Sequence, residues 1–160
     1  MIGLACFQLA LTLGTLIEYV AHRLMHAGVL FPCQHWQHHK SRHARGWLWE
    51  FGQYLLFLAP FLGLGFLHSP GAGVGFLLGG LVYLVLVAYS HQLQHEHPER
   101  AFWLKRPVHY LHHRHDRGRY NYGVLVDVWD RLLGTYKGYG WRRPPNARLS
   151  LRALLDIKWL

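Results

Sequence analysis

The sequence predicts an all-α fold: an integral membrane helical bundle of about three apolar helices under a helical cap. Three observations predict it. From Phe51 to His95 there is no Asp, Glu, Lys or Arg, in a chain of 160 residues that is 16% charged overall. Half of the residues are apolar, yet the mean hydropathy is only +0.03, so polarity is concentrated outside the apolar stretches. Fourteen histidines, several times the ordinary level, fall largely at helical spacings.

The apolar segments follow in order. They cover about residues 2–20, 51–67 and 74–90, each of ~17–19 residues and close to the minimum for a hydrocarbon core ~30 Å thick. The first has neither a basic leader nor a small-residue cleavage site, and it runs directly into a histidine motif. It is therefore read as a retained helix rather than a signal peptide. Ser69-Pro-Gly-Ala-Gly73 reads as a tight turn between the second and third segments. By parity, residues 22–50 and 91–160 share one face of the membrane. The Lys and Arg residues lie in these two stretches, and 13 basic against 6 acidic residues follow His95. The positive-inside rule makes that face cytoplasmic. Residues 1–160 form a single domain on this reading, with cytoplasmic regions at 22–50 and 91–138. A basic tail, 139–160, is helical only from about Leu149 and suits anionic headgroups or an acidic partner.

Composition excludes several classes. The aromatic and aliphatic content rules out disorder. Cys6 and Cys33 sit in unlike surroundings and do not suggest a disulfide scaffold. The sequence pI of 9.9 raises nucleic-acid binding, but no recognition motif accompanies it and the membrane topology explains the charge. No nucleic acid is expected as a partner.

The histidines form a repeat of chemistry. His22-Arg-Leu-Met-His26 is followed by His35-Trp-Gln-His38-His39; His91-Gln-Leu-Gln-His95 is followed by His109-Tyr-Leu-His112-His113. Positions i, i+3 and i+4 share a helix face, so each HxxxH presents two imidazoles and each HxxHH presents three, the last two splayed. Ten nitrogens exceed the four to six ligands of one ion and suit two ions with open positions. Imidazole accepts zinc, copper, iron or nickel alike. His43, His68, His97 and His115 fall outside the pattern and are read as ordinary surface or core groups.

The blocks HRLMH, HWQHH, HQLQH and HYLHH, then Asn121-Tyr-Gly and Trp129-Asp-Arg-Leu-Leu-Gly-Thr-Tyr136, resemble the fatty acid hydroxylase/sterol desaturase superfamily from about Thr15 to Lys137. Lys40 to Glu50 is somewhat similar to the carotenoid hydroxylase branch. The resemblance implies a membrane oxygenase with two iron ions, zinc being possible as isolated, and O2 as co-substrate. It implies His22, His26, His35, His38, His39, His91, His95, His109, His112 and His113 as metal ligands. It also implies a long apolar substrate: a fatty acyl chain, a sterol or a carotenoid. The chain is shorter than typical members and carries no fused cytochrome b5 domain. It has no GxGxxG after a strand to hold NAD(P)H, so electrons come from a separate donor such as ferredoxin or cytochrome b5 with its reductase.

Four further polar residues are candidates for orienting the ligands. Glu18 lies four residues before His22 on the same helix face, where an unpartnered carboxylate is costly. Asp116 is close to the second HxxHH. Asn121 precedes a glycine turn. Asp130 follows Trp129 in the terminal block and could accept from a ligand ring. The alternatives are a water-facing Glu18, a solvated Asp116, a turn-shaping Asn121 and an Asp130 that caps a helix or pairs with Arg131. Hydroxylation ranks ahead of desaturation. A His-rich metal transporter is the other class; it would require ionisable groups within the spans, and the second and third segments have none in their middles.

Overall fold

The computed structural model describes residues 1–147 and 149–160; Arg148 and the side chain of Asp116 lie outside the described residues. Seven α-helices and no strand form among the described residues: α1 (Ile2–His26), α2 (Pro32–Ser41), α3 (Trp47–Leu62), α4 (Pro70–Glu96), α5 (Val108–Arg114), α6 (Val128–Leu132) and α7 (Leu151–Leu155). Helices over Ile2–His26, Trp47–Leu67 and Pro70–Glu96 are long and apolar enough to cross a membrane.

Each span overshoots its expected bounds for a local reason. The first runs on to His26, because nothing from Thr15 to His26 breaks a helix and the first glycine beyond is Gly28, with φ 77°. Polarity alone does not end a helix; a left-handed residue does. The third starts at Pro70, not Val74. Ser69 caps it, its Oγ accepting from the Ala72 amide at 3.2 Å, and Pro70 takes the first helical position, where its missing N–H costs nothing. The expected five-residue turn thus shrinks. The same helix carries on through His91 and His95 until Pro98 forces His97 out of the α region. The second span is a helix to Leu62, broken at Gly63 and continued as a 3₁₀ turn over Leu64–Leu67.

Helices α1 and α4 lie side by side in the same direction, because glycines let their backbones meet. A side chain on Gly75 would overlap the Gly3 carbonyl, and one on Gly79 the Phe7 carbonyl. Small residues four apart are the usual device for close helix packing in lipid. The expected result of Gly79→Leu is separation of α1 from α4 at a cost of about 1–3 kcal/mol, read as a lower midpoint of thermal aggregation in detergent. Beyond this contact, Leu58 of α3 joins Tyr83, Leu84, Val87 and Val124 in a buried core.

The tail also has a packing role. Part of it packs into the protein. Ile157 enters a second core with Leu93, Ala101, Leu104 and Val108. Arg143 Nη2 donates to the carbonyls of Ala101 and Leu104, both at 3.0 Å. The carbonyls of Lys158 and Trp159 accept from the first two amides of α3, at 2.8 and 2.9 Å, groups that a helix start otherwise leaves unpaired.

Candidate metal centre

All ten histidines of the repeated pattern come together where α1, α2, α4 and α5 meet. They sort into two groups. His22, His26, His35, His39 and His112 form one; His38, His91, His95 and His109 form the other. Each HxxxH helix serves a single group, α1 the first and α4 the second. Each HxxHH helix is shared between them. Adjacent residues point about 100° apart around a helix, so His39 joins the first group while His38 crosses to the second. On α5, His109 enters the second group and His112 the first, although they are three residues apart. His113 is the counterpart of His39 in the repeat. Its ring stacks on His39 at 4.1 Å and lies 4.6 Å from those of His38 and His95.

The donor atoms fit metal ions. In the first group His26 Nε2 lies 2.8 Å from His35 Nε2, 2.9 Å from His112 Nε2 and 3.1 Å from His39 Nε2. Two nitrogens bound at right angles to one ion at ~2.1 Å sit about 3 Å apart. In the second, His91 Nε2 is 3.2 Å from His38 Nε2, and His95 Nε2 is 3.2 Å from His109 Nε2. Carbonyl oxygens fix several tautomers. His22 Nδ1 donates to the Tyr122 carbonyl at 2.6 Å, His112 Nδ1 to Tyr120 at 2.7 Å and His95 Nδ1 to Arg42 at 3.1 Å. A neutral ring that donates at Nδ1 carries a lone pair at Nε2, so these rings aim lone pairs at their neighbours, which a cation relieves. His22 Nε2 and both ring nitrogens of His113 are buried without a hydrogen-bond partner.

Burial also keeps the rings in the ligating form. It holds His35, His38 and His39 down at about 3, with neighbouring imidazoles adding to the effect. His109, His112 and His113 are pushed well down for the same reasons. Neutral imidazole is the metal ligand. His43, His68, His97 and His115 join neither group; His115 stacks on Tyr139 at 4.2 Å.

The four polar candidates act at one remove or not at all. Glu18 is buried but touches no histidine: it accepts from the Val124 amide and from the Tyr83 hydroxyl. Asp130 neither caps a helix nor pairs with Arg131, which bonds Asp127 instead. Its oxygens accept from the amides of Tyr122 and Gly123, both at 2.8 Å, and from Thr135 Oγ1 at 2.7 Å. Three consecutive amides, 122 to 124, are thus held by two carboxylates, and the same loop presents the Tyr122 carbonyl to His22. Asn121 shapes the turn. It sits at φ 62° and its side chain bonds both backbone groups of Lys137, at 2.8 and 2.7 Å. The side chain of Asp116 lies outside the described residues.

Two residues join the site that sequence reading passed over. Glu50 Oε2 lies 3.2 Å from His91 Nδ1 as an ion-pair neighbour, on the side of the ring where the Tyr122 carbonyl bonds His22 in the other group. Its signal was its place as the last charge before the 45-residue uncharged run. Gln94, between His91 and His95, accepts from the His109 amide at 3.0 Å and donates to the Val124 carbonyl at 2.7 Å. Carboxylates that orient a metal-binding histidine affect affinity strongly. Glu50→Ala is expected to weaken metal binding about 10–100-fold, and Glu50→Gln, which keeps an acceptor oxygen, by less; competition against a chromophoric chelator measures both.

Comparison with known proteins agrees with this arrangement. The chain is 26% identical over 154 residues to the very-long-chain aldehyde decarbonylase GL1-9 of Oryza sativa subsp. indica, and equally to that of subsp. japonica. The alignments cover 87% of this chain and 57% of each relative, so the chain spans little more than half of their length. No solved structure matches it. The family model described as fatty acid hydroxylase matches residues 7–135. That match takes in all four histidine helices and the loop that braces them, and the chain belongs to the fatty acid hydroxylase family.

Proposed function

We propose that this protein is a membrane-bound non-haem di-iron oxygenase that hydroxylates an unactivated C–H bond of a long apolar lipid. The observation that carries the reading is the sorting of the histidines into two convergent groups, each with a ring oriented from outside by a carbonyl. Two irons held there would supply O2 activation and attack on the C–H bond. One oxygen atom enters the substrate and the other leaves as water. The two electrons come from a separate donor such as ferredoxin or cytochrome b5 with its reductase. The chain's own part is to hold neutral imidazoles in place, through the carbonyls of Tyr120 and Tyr122 and the carboxylate of Glu50. The concentration of Lys and Arg on the histidine side supports a cytoplasmic site.

Desaturation of the same substrates is the second reading, and the likeness to aldehyde decarbonylases adds very-long-chain aldehydes to the substrate classes. Metal transport has less support. Glu18, an acidic group in the first span, is engaged by Tyr83 and Val124 rather than facing a pathway. The test is expression with iron and a matched reductase system under ¹⁸O2, with mass spectrometry of fatty acyl, sterol, carotenoid and aldehyde pools. A labelled hydroxyl, absent from a His38→Ala/His112→Ala control, is the expected outcome. An unlabelled alkene or a shortened hydrocarbon would favour the other reactions. No O2-dependent change in any pool, with metal bound, would overturn the oxygenase reading.

A further inference from the structure

The segment beyond the bracing loop turns down along α1, away from the cap. Its depth can be read from its bonds. Val124 donates to Glu18 on α1 and accepts from Ser90 Oγ on α4 at 2.8 Å, which places Glu18 and Ser90 at one level. The part of α4 from Pro70 to Ser90 is uncharged and is about the 20 residues that cross a hydrocarbon core. From Val124 the chain descends to Trp129, whose Nε1 donates to Thr15 Oγ1 at 2.9 Å. Thr15 is three residues before Glu18, about 5 Å deeper along the helix. The chain then climbs back to Thr135, whose Oγ1 lies 2.9 Å from Tyr19 Oη.

At the bottom of this excursion stand Val128, Leu132 and Leu133, 43%, 69% and 52% exposed. The charges around them are turned inward or paired. Asp130 is buried beneath the 122–123 amides. Asp127 bonds Arg131 at 2.7 Å, and that guanidinium lies over the Tyr136 ring at 3.9 Å. A short element with apolar residues outward, at the level where a spanning helix enters the core, has the character of an interfacial anchor.

We infer that residues 127–133 form a shallow wedge in the histidine-side leaflet, with Val128, Leu132 and Leu133 against the upper acyl chains of phospholipids. The inference rests on position and exposure and is independent of the reaction catalysed. It is tested with single cysteines at Leu132, Leu133 and, as an exposed reference, Arg142, in a Cys6→Ala/Cys33→Ser background. Each is labelled with an NBD fluorophore in phosphatidylcholine nanodiscs, which leave both faces open to solutes. Labels at 132 and 133 are expected to be quenched by 5-doxyl lipid, and by iodide at least about threefold less than the label at 142, as for a group 5–10 Å into the interface. Iodide quenching at 132 and 133 equal to that at 142, without quenching by the doxyl lipid, would overturn the wedge.

Discussion

Alanine at both His38 and His112 is expected to strip the protein of its transition metal, and each single change to remove about half of it. The expectation follows from the sorting of the rings. His112 belongs to the first group, its Nε2 2.9 Å from that of His26 and 3.1 Å from that of His39. His38 belongs to the second, 3.2 Å from His91. Each is the ring its group receives from the other half of the chain, so each single variant breaks one group and leaves the other intact. Elemental analysis of protein purified in mild detergent from iron-supplemented cells measures the outcome. Zinc counts as occupancy, because imidazole sites exchange metals on isolation. Undiminished metal in the double variant would sink the two-group assignment.

Asp130→Ala is expected to destabilise the fold by about 3–5 kcal/mol, although Asp130 is no ligand. Its carboxylate takes hydrogen bonds from Tyr122, Gly123 and Thr135. Burial raises its pKa while these donors pull it back. Removing it leaves buried donors unmatched, at about 1–3 kcal/mol each. For a chain of this size the apparent Tm should fall on the order of 10 °C. Metal should be lost as well, because the loop that Asp130 holds presents the Tyr122 carbonyl to His22. Asp130→Asn keeps one acceptor oxygen and should fall between. Unchanged stability and metal content in Asp130→Ala would show the loop to be held without Asp130, by its bonds to Glu18, Ser90 and Gln94.

The histidine spacing made the helices and the ten donors legible before any coordinates, because i, i+3 and i+4 geometry is local. The apolar runs located three spans for the same reason, and missed their ends only where a breaker rather than polarity decides. The division of His38 from His39 was visible as splay, but the destination of each ring depends on helices brought together from distant parts of the chain. Glu18 is legible as a costly carboxylate and Asp130 as a candidate acceptor near the site, but neither partner set is. Their partners include backbone amides, which carry no mark in a sequence, and Val124 lies 106 residues from Glu18. Glu50 and Gln94 were passed over because each acts through a contact between elements rather than within one.

The crossing of HxxHH helices between groups also sets the order in which the protein can be finished. The first group has four rings within residues 22–39 but lacks His112, which is 73 residues beyond His39. The second has three rings within residues 91–109 and needs His38 from the earlier half. During synthesis neither group is whole until α5 has left the ribosome, by which time α3 and α4 must already have been threaded into the bilayer. Each complete set of rings is therefore a product of both halves of the chain, and either half made alone would hold an incomplete set that only the other half can fill.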